Sequence, residues 1–298
     1  MAATSRPNRL ALDARLFGQR GESHHANGRS HKICAMTQEQ RTCRFCGQPG
    51  SSEDHIIPKW IGRLLSEGAP PGTHYVFHHR SANPEAGVPE HGKTAKLPAY
   101  VTRAFCEPCN NGWMSDLETR VRPALEPLVL GESRTLSRDE QGLLAFWATK
   151  TLLGFQALED ESTEWARPDE YSELYKYKAA LPNSQVWLGA GEHEGDVAWH
   201  RAHTYAIGSE QIDGFGATLA VGHAVFYLAI GYAARPGVRL RYDAAFALKE
   251  IWPSARDELR WPPAVTLPKA TPEGVAPLVQ RHNVILPAKP PHRPKTTA

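Results

Sequence analysis

The sequence predicts an α+β fold: a small cysteine-stapled module, then helices, then an antiparallel sheet. Three observations carry this. Two Cys-x-x-Cys pairs, Cys43/Cys46 and Cys106/Cys109, enclose a segment rich in turn residues. Ser137-Arg138-Asp139-Glu140 has the form of a helix capping box and leads into an apolar run. Beyond Gln185 the pattern changes to short β-branched and aromatic stretches with turn signals between them.

Residues 1–38 are polar, contain Gly, Arg and His without periodicity, and read as a disordered basic tail. Over residues 1–50, eight Lys/Arg (Arg6, Arg9, Arg15, Arg20, Arg29, Lys32, Arg41, Arg44) face three acids (Asp13, Glu22, Glu39). The whole chain of 298 residues carries a formal charge of only +2, so basic contacts to a polyanion would be local. The module proper spans 39–132. Within it, Glu67 to Lys96 is dense in Pro, Gly and His and reads as one long loop, with His74, His78, His79 and His91 as surface histidines. After the second cysteine pair, Asn111 to Leu130 sets Trp113, Leu117 and Val121 at helical spacing.

The second region, 137–262, opens with the capped helix. Leu144, Trp147, Ala148 and Leu152 share a face of it, and it runs to about Ala157. A short helix follows from Asp169 to Ala180. Strands are expected at Gln185–Leu188, Val197–Ile207, Ala217–Val221 and Ala224–Ile230, with Gly222-His223 as a tight turn. His200, His203 and His223 read as structural. Residues 263–298 accumulate Pro, Lys and Arg and read as a partly disordered tail.

Five cysteines are an odd number, four of them in pairs, which suits one metal site plus Cys34 better than a disulfide framework. Each C-x2-C turn presents two thiolates to one ion, so Cys43, Cys46, Cys106 and Cys109 predict a tetrahedral structural zinc. A cytoplasmic protein follows as the default. No run of eighteen apolar residues exists, which argues against a membrane partner.

Between the cysteine pairs lies Asp54-His55-Ile56-Ile57-Pro58, and Asn110 directly follows Cys109. A neutral imidazole takes a proton from water near neutral pH, as activation of a hydrolytic nucleophile requires. A carboxylate and an amide oxygen suit Mg²⁺ or Mn²⁺, hard ions that prefer oxygen ligands. Asp54 and Asn110 are therefore candidate ligands of a catalytic divalent metal, and His55 the candidate base. Asn111 is the alternative to Asn110.

These motifs together resemble the zinc-bearing HNH endonucleases, over roughly residues 43–120. The resemblance implies a ββα-metal finger as the nuclease core and hydrolysis of DNA phosphodiester bonds, RNA being the other substrate class its residues admit. It matches His55 to the general base, Asp54 to the carboxylate metal ligand and Asn110 to the last motif position on the helix. Lys59 and Arg103 are then placed to meet a phosphate. Many relatives carry a middle asparagine where Tyr100 stands here, six residues before Cys106. A catalytically degenerate, zinc-finger-like nucleic-acid-binding protein is the alternative function. A protein-interaction scaffold built on residues 137–262 is a third class.

Overall fold

The computed structural model describes residues 41–67, 75–79, 91–95, 100–158, 166–191, 197–202, 205–207, 210–212, 215–230, 238–241, 248–267 and 284–287. The expected tail 1–38 lies outside them, as do Cys34, His74, His203 and most of 263–298.

Strand β1 (Ser52–His55) is followed by helix α1 (Lys59–Glu67), whose first turn is placed by Pro58: the Ile61 amide donates to the Pro58 carbonyl at 3.0 Å. Next come β2 (Tyr75–His79) and β3 (His91–Ala95), an antiparallel pair in the stretch that reads from sequence as a loop. That expectation is corrected. The Pro and Gly residues concentrate between and around the strands, and short flanking runs such as Tyr75-Val76-Phe77 provide β-formers.

Strand β4 (Val101–Phe105) pairs antiparallel with β1, joining Asp54 to Thr102 and His55 to Val101. The chain then enters a helical stretch in three parts. A short turn α2 (Glu107–Cys109) leads into a wide π-type turn at Asn110–Met114, where Gly112 leaves helical dihedrals (φ −93°, ψ −113°). Helix α3 (Ser115–Leu130) continues from there and ends at Gly131 in the left-handed region. Two antiparallel strands followed by a helix therefore form the frame around the cysteines.

After β5 (Arg134–Ser137), helix α4 (Arg138–Gln156) begins at the expected capping box: the Glu140 amide donates to Ser137 Oγ and the Ser137 amide to Glu140 Oε2. The expected single apolar face is too modest a description. Every residue of α4 from Leu144 to Gln156 is buried, because α3 packs on one side and sheet strands on another. Helix α5 (Pro168–Tyr177) ends on Lys178, which takes the left-handed conformation (φ 51°).

Strands β6 (Ser184–Ala190), β7 (Val197–Ala202), β10 (Phe215–Val221), β11 (Ala224–Ile230) and β13 (Lys249–Trp252) form one antiparallel sheet in the order β13-β6-β11-β10-β7. The expected strand Val197–Ile207 is two strands, β7 in this sheet and β8 (Tyr205–Ile207), which pairs with β9 (Glu210–Ile212). Two further pairs complete the described strands. They are β12 (Val238–Arg241) with β15 (Val284–Pro287), and β14 (Glu258–Trp261) with β5. Every residue of β6 and β11 is buried; β11 is accordingly a run of apolar and aromatic residues, while β6 also buries Ser184 and Gln185. Gly222 (φ 55°) and His223 make the β10–β11 turn, and the His223 amide donates to the Val129 carbonyl at the end of α3.

One continuous apolar core runs from the cysteine module into the helices and sheet. It includes Phe45, Ile56 and Phe105 as well as Leu144, Trp147, Phe226 and Ile251. Among the described residues no helix is long and apolar enough to cross a membrane.

Candidate functional site

The first cysteine pair sits on a tight turn. Gly47 donates to the Cys43 carbonyl at 2.8 Å and adopts φ 70°, a conformation that a side chain disfavours. The Arg44 amide donates to the Ala104 carbonyl at 3.0 Å, which ties this turn to β4 just ahead of Cys106. The second pair opens α2, where the Cys109 and Asn110 amides both donate to the Cys106 carbonyl.

The four sulfurs converge: all lie within 4.8 Å of one another, and Cys46 Sγ is 3.5 Å from Cys106 Sγ. Zinc–thiolate bonds of about 2.3 Å in a tetrahedron require sulfurs roughly 3.8 Å apart, so this set fits one ion such as zinc. All four thiols are free of disulfides, and Cys43, Cys106 and Cys109 are buried. Burial pushes the Cys106 and Cys109 thiols up, a cost that a divalent ion would reverse by binding them as thiolates.

Aromatic side chains enclose the cluster. Phe45 stacks on Phe105 with centroids 4.4 Å apart and meets Trp113 edge-on at 5.0 Å and Tyr171 at 5.6 Å. Trp113 in turn stacks on Phe146 of α4. The Lys178 ammonium lies 4.4 Å from the Trp113 ring centroid and 3.4 Å from that of Tyr175. Trp113 is thus a packing residue.

A separate open cleft of about 400 Å³ lies where β1, α1 and the start of the α2–α3 stretch meet. Asp54, His55 and Asn110 all line it. Asn110 Nδ2 donates to the Glu53 carbonyl at 3.1 Å and to Ser52 Oγ at 3.2 Å, which pins the helical stretch to β1. Its amide nitrogen is so engaged, and the amide oxygen remains as the acceptor for a ligand. Asn111, the alternative, also borders the cleft, while its Nδ2 donates to Glu107 Oε1 within its own turn. His55 is placed by the ladder: it pairs with Val101, and the Ile56 amide beyond it donates to the Tyr100 carbonyl at 3.0 Å.

Asp54 is only 5% exposed, and its Oδ2 is buried with no hydrogen-bond partner. Burial raises its carboxyl above the ordinary value, the nearby Lys150 ammonium opposing this and Glu118 adding to it. A buried carboxylate oxygen lacking a donor is one that a divalent cation could satisfy, and Asp54 and Asn110 are oxygen-bearing residues of this cleft that could hold one.

Lys59 lines the cleft at the start of α1. Arg103 does not line it: its guanidinium pairs with Glu53 on β1, both side chains exposed. Arg63, Arg122, Trp60 and Glu118 line the cleft and escape the sequence reading. Their spacing offered a signal. Lys59 and Arg63 are four apart on α1, as are Glu118 and Arg122 on α3, so each pair shares a helix face. Arg122 also stacks over Trp60, its guanidinium carbon 5.1 Å from the ring centroid. Lys150 is legible too, as the lone charge in the apolar run from Leu143 to Phe155.

No protein-family model, curated protein or solved structure matches this chain.

Proposed function

We propose that the protein is a metal-dependent endonuclease of the HNH type that hydrolyses DNA phosphodiester bonds in this cleft. The observation that carries the reading is the meeting of Asp54, His55 and Asn110 in one cleft. Two antiparallel strands and the following helical stretch bring them there, as a ββα-metal finger would. The unpartnered Asp54 Oδ2 supports it further.

His55 accepts a proton from the attacking water, which then adds to phosphorus as the leaving oxygen departs. Asp54 and Asn110 would hold Mg²⁺ or Mn²⁺, which would supply charge stabilisation at the scissile phosphate. Lys59, Arg63 and Arg122 give the rim three cations to position the neighbouring backbone phosphates. The four-cysteine zinc is structural, since a closed thiolate set leaves no position for substrate.

The second reading, a binding module that no longer cuts, draws on Tyr100. Its ring packs edge-on against Phe155 at 5.1 Å, so the position of the family's middle asparagine serves the core. Both readings retain the zinc.

Supercoiled-plasmid cleavage separates them. Wild-type protein with Mg²⁺ or Mn²⁺ should nick or linearise the plasmid, and His55→Ala should lose roughly 10²–10⁴ of the rate. The control omits the divalent ion without adding a chelator, which would strip zinc as well. Zinc-loaded, folded protein that binds DNA in a salt-sensitive manner but never cuts would refute the nuclease reading and support the binding module. A single-stranded RNA substrate run in parallel assigns the nucleic acid.

A further inference from the structure

Helix α4 carries one charge into the centre of the molecule. The Lys150 side chain is 2% exposed, and its ammonium donates to Glu118 Oε1 at 2.9 Å. Burying an ammonium is unfavourable by several kcal/mol unless it is paired and hydrogen-bonded, and an apolar residue of similar volume would stabilise α4 at least as well. Its position therefore asks for a role outside the core. Glu118 provides the link, because it lines the same cleft as Asp54, His55 and Asn110.

Asp54 and Glu118 share one buried counter-ion, Lys150, whose ammonium donates to Glu118. Asp54, nine-tenths buried, still has an oxygen with no hydrogen-bond partner. One divalent cation would satisfy that oxygen.

We propose that Glu118 is a further carboxylate ligand of the divalent metal in this cleft, and that Lys150 is the positioning residue that fixes it. The Glu118–Lys150 pair leaves the second Glu118 oxygen for the ion. Lys150 acts from behind, through Glu118, and does not itself touch substrate or metal. This rests on the reading of the cleft as a hard-metal site, and the test distinguishes the two.

Mn²⁺ is titrated into the zinc-loaded full chain, with free Mn²⁺ followed by its electron paramagnetic resonance signal. Asp54→Asn reports on the cleft reading itself, and Glu118→Gln on the inference. Gln keeps a carbonyl oxygen for the Lys150 ammonium, and a thermal melt of each variant establishes that it is folded. The expected result is a tenfold or greater weakening of Mn²⁺ binding by each substitution. Lys150→Met should also weaken binding, and Glu118→Gln in that background should add less than a threefold further loss, because both changes act on one ligand. Should Lys150→Met fail to fold, Glu118→Asp takes its place, and its shortened carboxylate should bind Mn²⁺ more tightly than Glu118→Gln.

Weakened binding in Asp54→Asn with Glu118→Gln within twofold of wild type would overturn the inference and leave the cleft reading intact. Equal binding by wild type and both variants, or none by any, would overturn both.

Discussion

Withdrawing a zinc ion bound by the four cysteines should unfold far more than the module that holds it. Cys46 and Cys106 are 60 residues apart in sequence, and closing a loop of that length costs about 3.6 kcal/mol from the (3/2)RT ln n dependence alone. Zinc binding to such sites contributes roughly 10–16 kcal/mol to folding, against a whole-protein stability of about 5–15 kcal/mol. Metal removal therefore takes away an amount comparable to the total. The loss does not stay local, because Phe45 packs on Tyr171 and Trp113 on Phe146 within one continuous core. Purified protein should contain one zinc per chain by elemental analysis. Chelation should abolish the near-ultraviolet circular dichroism of the aromatic cluster and lower the melting temperature in one cooperative step. Cys109→Ser should reproduce this, while Cys34→Ser should keep the zinc and the melt. A chelated protein with unchanged near-ultraviolet signal and melting temperature would refute the argument that the metal holds the two cysteine pairs together.

The turn that anchors the sheet to α3 gives a second prediction. A Cβ on Gly222 would lie 2.3 Å from the Val129 carbonyl oxygen, at φ 55°, so Gly222→Ala should destabilise by about 2–5 kcal/mol in denaturant unfolding. A third concerns pH. Burial pushes the Glu170 carboxyl up to about 7 from 4.5, so the folded state holds its proton more tightly than the unfolded chain does. That contribution, about 3 kcal/mol, is fully present below pH 4.5 and is lost as pH rises through 7. Melts from pH 4 to 8 should show Glu170→Gln with a flatter profile than wild type over that window. For the cleft, Arg122→Gln should weaken DNA binding and reduce the slope of log affinity against log salt by about 1, measured by fluorescence anisotropy.

The sequence alone determined what depends on local spacing. Each Cys-x-x-Cys pair announces two sulfurs on one turn, and a thiolate set needs little more than proximity to define its ion. The capping box at Ser137–Glu140 and the turn at Gly222-His223 are likewise local, because the hydrogen bonds and dihedrals that form them lie within a few residues. Asp54, His55 and Asn110 could be named as candidates from residue chemistry, but not their relation to Glu118, Arg122 and Lys150. Those residues lie on α3 and α4, and only packing brings them near β1. The tertiary structure also decided that Arg103 faces Glu53 and lies off the cleft, since side-chain direction on β4 follows from the β1 register. It made the cysteine module continuous with the α4 core, where Gly154 leaves room for Ile56, the neighbour of His55, to pack. Burial, unlike a turn, is a property of what surrounds a residue, and for Asp54 and Lys150 those surroundings come from segments far away in the chain.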